Sequence, residues 1–463
     1  KVLEQVLMDS AGAKGKAVGR AEDGRVVFVA NAVPGDVCDI RTTKQRTKYY
    51  EGVAVNFHKL SERRTEPVCE YFGECGGCKW QHMAYDSQLE FKQNEVVNNL
   101  KRLGGLELPD SQPILGSKEQ YFYRNKMEFS FSDKRWMRQS EVDSGAEITN
   151  RNGLGFHIPG AWDKILDVEK CHLQEDPSNA IRNEVRAFAN ANNLEFFNPR
   201  HKTGLLRTMM LRLTSTGEIM VLIQFFKEEK ENRELLLDHL KATFPEITSL
   251  QYVINGKDND TIYDQEVICY AGEPHIFEEM EGLKFRIGPK SFYQTNSKQA
   301  YELYKLTREF AMLSGNELVY DLYTGTGTIA QFIAKNAKKV IGIESVPDAI
   351  TDAKINATVN GIDNVEFFAG DMKKVLNDAF IAEHGMPDVI ITDPPRDGMH
   401  ADVVATILRI APKHIVYVSC NSATQARDVA LMTQQYKVTK VQPVDMFPQT
   451  HHVENILLLE KRS

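Results

Sequence analysis

Leu318-Val-Tyr-Asp-Leu-Tyr-Thr-Gly-Thr-Gly-Thr328 opens the most regular part of the chain. A short apolar run carries Asp321 near its end, and Gly325 and Gly327 then let the backbone approach a ligand closely. Four further runs follow, with helical patterns between them: Lys339-Val-Ile-Gly-Ile-Glu344, Val365-Glu-Phe-Phe-Ala-Gly-Asp371, Asp388-Val-Ile-Ile-Thr-Asp393 and His414-Ile-Val-Tyr-Val-Ser-Cys420. Near-continuous apolar strands alternating with helices predict an α/β fold, a parallel sheet covered on both faces. Ligands of such sheets bind outside the carboxyl ends of the strands. Asp321, Glu344, Asp371, Asp393 and Cys420 all stand at those ends, so five strands aim at one crevice. Glu454-Asn-Ile-Leu-Leu-Leu-Glu460 has no helix after it and is expected as an edge strand.

The loop Tyr323–Thr328 is not G-x-G-x-x-G, so it lacks the pyrophosphate fingerprint of dinucleotide sites. Glu344, about twenty residues on, can accept both hydroxyls of a ribose. A nucleoside-like cofactor without phosphates fits this pocket, and S-adenosylmethionine is such a molecule. Tyr323, Gly325, Gly327, Thr328, Glu344, Asp371 and Asp393 are the candidate cofactor residues. Pro394 and Pro395 stiffen the segment after Asp393. Arg396 is suited equally to a phosphate, a carboxylate or a structural ion pair.

Outward from this core, 463 residues imply two or three domains. Residues 1–60 alternate short β-branched runs with Pro34-Gly35-Asp36 and predict a small β-barrel of the oligonucleotide-binding kind. Residues 61–275 form a mixed central region, with a helix expected over 85–103 and Gly104-Gly105 as its stop. That helix is a candidate to pack on the catalytic domain at 276–463. A net charge of −8 weighs against a nucleic-acid partner. A basic stretch nevertheless stands at Arg41, Lys44, Arg46, Lys48, Lys59, Arg63 and Arg64, with Tyr49 and Tyr50 between. Tyr123-Arg-Asn-Lys126 is a second polar cluster, suited to phosphate or to a plain turn.

Seven cysteines are too few for a disulfide scaffold in a chain of this length. Cys69, Cys75 and Cys78 stand as C-x5-C-x2-C, and Cys171 follows far downstream. Four thiolates fit a [4Fe–4S] cluster or a four-cysteine zinc site. The short triplet with a distant fourth ligand favours iron–sulfur. Cys38 and Cys269 read as packing residues. His451 and His452 are adjacent, and in an extended segment they would face opposite ways, which argues against a shared metal. No apolar run approaches the roughly 20 residues that span a bilayer, so a cytoplasmic, membrane-free monomer is the expectation.

Asp393-Pro-Pro-Arg396, Val418-Ser-Cys-Asn421 and His451-His-Val-Glu-Asn455, in this order, resemble the RNA uracil-5-methyltransferase family. Ser291-Phe-Tyr-Gln-Thr-Asn296 is similar to the family segment whose Gln, here Gln294, contacts the cofactor. The cysteine cluster and the N-terminal barrel resemble the iron–sulfur ligands and TRAM domain of the bacterial 23S ribosomal RNA branch (RlmD/RumA type). Thr324 and Thr328 depart from the Cys and Asn frequent at those positions. The resemblance implies a Rossmann-like S-adenosylmethionine-dependent methyltransferase domain, with a central α+β domain carrying a [4Fe–4S] cluster. It implies Cys420 as nucleophile toward uracil C6 and Glu454 as the base that removes the C5 proton. The expected substrate is a single-stranded or loop uridine of 23S ribosomal RNA. The alternatives are a transfer RNA uridine with the same chemistry, or a non-catalytic iron–sulfur RNA-binding protein.

Overall fold

The computed structural model describes every residue except Ala146 and Ser463. The chain forms two compact units. One comprises Lys1–Val68, Cys78–Gln120 and Gln299–Ser463, and the other comprises Cys69–Gly77 and Tyr121–Lys298.

In the first unit, strands Val2–Ala11, Ala17–Arg20, Val26–Val29, Val37–Gln45 and Tyr49–Lys59 close into a five-stranded barrel. Alternation fills it from every strand: Leu3, Val6 and Met8 meet Val27, Val29, Cys38, Ile40, Tyr50 and Ala54. Cys38 is thus a packing residue, and burial pushes its thiol up to about 11. Part of the basic stretch is structural. Arg64 pairs with buried Asp36 at 2.6 Å and Arg63 with Glu90 at 2.7 Å. Arg41, Arg46, Lys48 and Lys59 remain exposed on the barrel.

The α/β sheet of the same unit has seven strands: β1 (Leu318–Leu322), β2 (Lys339–Glu344), β3 (Val365–Ala369), β4 (Val389–Thr392), β5 (His414–Ser419), β6 (Tyr436–Val444) and β7 (Glu454–Lys461). Their order is β3-β2-β1-β4-β5-β7-β6. Only β7 runs against its neighbours. The edge assignment for Glu454–Glu460 is therefore corrected: β7 lies between β5 and β6. Its run Asn455–Leu459 is buried throughout, as a strand covered on both faces must be. The edge on this side is β6, whose sequence alternates and carries Pro443, a residue tolerated at sheet edges.

Helix Tyr85–Asn98 continues as a π-helical turn, Asn99–Leu103. Val96 and Leu100 enter the apolar core beneath β5 and β7, and Asn99 Nδ2 donates to Ser422 Oγ at 2.8 Å. Lys92 Nζ lies 2.6 Å from Asp445 Oδ1 with both side chains fully buried. Tyr85 donates to the other carboxylate oxygen at 2.9 Å, and Gln88 Nε2 donates to Gln449 Oε1 at 3.0 Å. The helix thereby fixes the turn that leads from β6 into β7.

In the second unit, seven strands are ordered Ile268–Gly272, Ser249–Ile254, Ile219–Phe225, Leu206–Leu213, Lys126–Ser132, Gly153–Ile158 and Ala161–Asp167. Helices Ser178–Ala191 and Lys230–Thr243 pack against each other. The hairpin Ile276–Met280 and Leu283–Ile287 completes it.

Removing one partner of a buried ion pair leaves the other charge uncompensated, at a cost of about 3–5 kcal/mol. Lys92→Ala should therefore lower unfolding stability by about that amount in a denaturant titration. Exposed Lys59→Ala should be neutral within about 0.5 kcal/mol.

Candidate active site

The crevice begins at the end of β1. Asp321 is fully buried and accepts a hydrogen bond from Thr324 Oγ1 at 2.5 Å, while its Oδ1 has no partner. Burial pushes its carboxyl up to about 7. The chain then turns through left-handed Tyr323 (φ 62°), Gly325 (φ 56°) and Gly327 (φ 74°) into helix Thr328–Ala334. A Cβ on Gly327 would stand 2.7 Å from the Phe367 ring, so both conformation and space demand glycine there. Gly325 faces open space. Its N–H donates to Glu344 Oε2 at 3.1 Å, and Ser345 Oγ and Val346 N–H hold Oε1 at 2.9 and 3.0 Å. Each carboxylate oxygen keeps acceptor capacity for hydroxyls. Asp371 is exposed and caps the short helix Met372–Val375 by accepting from Lys373 N–H at 3.0 Å. Thr328 is buried, with its hydroxyl 3.3 Å from that of Thr326.

A second cluster forms where β4 and β5 end and β7 begins. The antiparallel register pairs Ser419 with Asn455, so Cys420 and Glu454 are the next cross-strand neighbours. Asn455 Nδ2 donates to Gln425 Oε1 at 2.8 Å, and Gln425 Nε2 donates to the Tyr417 carbonyl at 2.9 Å, which locks the register. Glu454 is buried, and desolvation together with the nearby Asp393 charge pushes it up to about 8. Desolvation, Glu454 and Asp393 push the half-buried Cys420 thiol up to about 11. Asp393 itself is pushed up to about 7 by burial and by Asp321. Arg396 opposes the rise at both Cys420 and Glu454.

Helix Ser422–Ala430 holds the Asp393–Met399 loop against this cluster. Asn421 Nδ2 and Thr424 Oγ1 donate to the Arg396 carbonyl at 2.9 and 3.1 Å, and Arg427 reaches the Asp397 carbonyl at 2.8 Å. Buried Asp428 accepts from the Met399 N–H at 2.8 Å and the Tyr417 hydroxyl at 2.7 Å. A weakly acidic thiol thus faces a protonatable carboxylate beside a polar cradle suited to a nucleoside.

The profile of the tRNA (Uracil-5-)-methyltransferase family matches residues 206–462. The chain belongs to that family. A protein of Bacteroides thetaiotaomicron named as an RNA methyltransferase is 56% identical, over 97% of this chain and 100% of its own length. One of Porphyromonas gingivalis with the same name is 53% identical over 97% and 98%. The crystal structure of Pyrococcus abyssi tRNA (uracil-54, C5)-methyltransferase with S-adenosyl-L-homocysteine matches with a TM-score of 0.75 at 28% identity, covering 98% of this chain and 100% of the other. The protein is therefore an S-adenosylmethionine-dependent RNA (uracil-5-)-methyltransferase.

In this methyltransferase Gln294 lies in the second unit, where its carbonyl accepts from Asn125 Nδ2 at 2.8 Å. Asn125 also donates to Ser297 Oγ at 2.7 Å, so the 123–126 cluster includes a structural tie. Cys69, Cys75 and Cys171 belong to that unit, and Cys78 opens the next segment of the first. All seven cysteines are free of disulfides. Backbone N–H groups two residues on point at three of the candidate sulfurs: Tyr71 at Cys69, Gly77 at Cys75 (3.4 Å) and Leu173 at Cys171. Among the described residues, no three Cys, His, Asp or Glu side chains stand grouped as ligands of one ion.

One site neighbour escaped the sequence. Tyr304, buried on helix Ser297–Ala311, feels the charges of Asp393, Asp321 and Glu454. Its spacing on an amphipathic helix reads only as core. His451 stands in a bend, and its ring centroid lies 4.1 Å from that of His452, so the opposite-face expectation is corrected. Burial and nearby Lys92, Lys79 and Arg396 push His451 down to about 4, which keeps it neutral.

The electrostatics make the Cys420 thiol a reporter. At pH 9, Glu454→Gln should speed its alkylation by iodoacetamide roughly three- to tenfold, because a negative neighbour is lost. Arg396→Gln should slow it. Site-resolved mass spectrometry of the Cys420 peptide reads both rates.

Proposed function

We propose that this enzyme methylates C5 of a uridine in 23S ribosomal RNA through a covalent bond between Cys420 Sγ and uracil C6. The reading is carried by Cys420 and Glu454 following the Ser419–Asn455 pair, with the Glu454 charge acting on the Cys420 thiol beside the nucleoside cradle. Uracil C5 is a weak nucleophile; Cys420 gives its thiol proton to solvent and Sγ adds at C6, which places electron density on C5. S-adenosylmethionine supplies the electrophilic methyl group. The methylated adduct keeps a proton on C5 until a base takes it, and loss of that proton expels the thiolate and restores the ring. Glu454 is that base. A carboxyl held near 8 is ionised in about a tenth of molecules at pH 7, and in that form it is a stronger base than an ordinary carboxylate. Asp393 and Tyr304 orient the reacting groups.

The residues fit the cofactor. Glu344 would take the ribose hydroxyls, and Gly325, Gly327, Tyr323 and Thr328 would line its approach. Asp321, with one buried oxygen unpartnered, offers an acceptor inside the crevice. Asp371, Asp393 and Gln294 complete the proposed set.

Cys69, Cys75, Cys78 and Cys171 would hold a [4Fe–4S] cluster. Free thiols with backbone N–H donors on three sulfurs suit a thiolate centre, and zinc is the competing occupant. The cluster has a structural role, since methyl transfer moves no net electrons. The TRAM-like barrel of residues 1–60, with its exposed arginines and lysines, would grip flanking RNA. A cytoplasmic monomer is the working state, and no helix among the described residues is long and apolar enough to cross a membrane.

Transfer RNA is the second reading, because the Pyrococcus abyssi relative is named for uracil-54 of tRNA. Mapping 5-methyluridine in both RNA classes, in cells with and without the gene, decides between them. A 23S site lost on deletion supports the proposal, and a lost tRNA site supports the rival. Cys420→Ala should abolish turnover yet still bind S-adenosylmethionine. Glu454→Gln should accumulate a protein–RNA adduct stable to denaturing electrophoresis, and normal release would contradict the base assignment. Purified protein should be brown with about four irons per chain, whereas a colourless zinc-loaded protein would contradict the cluster.

A further inference from the structure

The second unit has a cavity of about 150 Å³ that nothing in the methyl-transfer chemistry uses. Its floor is one face of the sheet. The cross-strand pairs Glu128–Met210, Met210–Leu222 and Thr208–Gln224 set these side chains side by side. One wall is the loop Asp260–Tyr263, and another is Pro289–Lys290. The loop is pinned from below. Gln224 Nε2 donates to the Asp260 carbonyl at 2.9 Å, and Asn255 Nδ2 donates to the Thr261 carbonyl at 3.2 Å.

Arg212 lies on the same sheet face, opposite Lys126 and Met220 in register. It is 2% exposed. Nη2 donates to the Ser291 carbonyl at 3.1 Å, while Nε and Nη1 have no partner. Its electrostatic neighbours are Glu128 and Tyr263, both of which line the cavity. Arg212 thus lies behind the lining and acts on the cavity through its charge rather than through its donors. Lys126, paired with Glu128 at 2.6 Å, and Lys290 add positive charge. Tyr263, 70% exposed, presents an aromatic ring at the mouth.

We propose that this cavity receives one unpaired nucleotide of the substrate RNA, flanking the target uridine. Its base stacks on Tyr263 over the Met210–Leu222 floor, its polar edge meets the Thr208 and Gln224 side chains, and its phosphate rests near Lys290. An aromatic face, polar side chains and cations around a cavity with room for one planar base are how single-stranded RNA is held. The assignment rests on the enzyme acting on RNA, but not on which RNA or on the covalent step.

The test measures binding of 23S ribosomal RNA and bulk tRNA to the full-length protein by filter retention, which needs no methyl transfer. Tyr263→Ala should weaken the preferred RNA about fivefold to a hundredfold, the share of one stacked base. Lys290→Gln should weaken it severalfold and lower the salt slope by about one. S-adenosylmethionine affinity should not change. Both side chains lie at the cavity mouth, so these variants should fold even where Arg212→Gln does not. Ultraviolet crosslinking should attach RNA to the peptide containing Tyr263. Unchanged RNA affinity in both folded variants would overturn the site. Wild-type protein that binds RNA through Tyr263 yet never methylates it would refute the enzymatic reading and leave the site standing.

Discussion

The antiparallel pairing of β5 with β7 is the constraint on which the active site depends. A side chain at a sheet end is placed by register, and a slip of one residue would turn it to the other face. Ser419 opposite Asn455 makes Cys420 and Glu454 neighbours. The Gln425–Asn455 hydrogen bonds hold that register from one side. From the other, buried Lys92 and Gln88 anchor the turn at Asp445 and Gln449 that delivers the chain to Glu454. A helix over three hundred residues upstream in sequence thus sets where the carboxylate falls.

Desolvation then sets the chemistry. Asp321, Asp393 and Glu454 share a crevice in which burial disfavours ionisation of each, and each acid makes the next harder to ionise. Cys420 inherits the same penalty, so its resting form is the thiol. Arg396 acts on both Cys420 and Glu454, and Asn421, Thr424 and Arg427, at and within the following helix, hold its loop.

Much of this was legible in the chain. Strand ends at Asp321, Glu344, Asp393 and Cys420 follow from the apolar runs, and Tyr85–Leu103 follows from its helical spacing. Other features are set by tertiary partners that leave no local pattern. An apolar run such as Ile456–Leu459 reads the same in an edge or an interior strand until its neighbours are known. The buried fate of Arg212 could not be read from Leu-Arg-Leu. Asp36 and Glu90, which draw Arg64 and Arg63 out of the basic stretch, are recognised only in the fold.

The most direct measurement uses RNA containing 5-fluorouridine, incubated with enzyme and S-adenosylmethionine. Fluorine at C5 cannot leave as a proton, so the thioether at C6 persists. Tandem mass spectrometry should find methylated fluorouridine bonded to Cys420 Sγ. Active enzyme that forms no such bond, or bonds the base at another residue, would contradict covalent attack by Cys420.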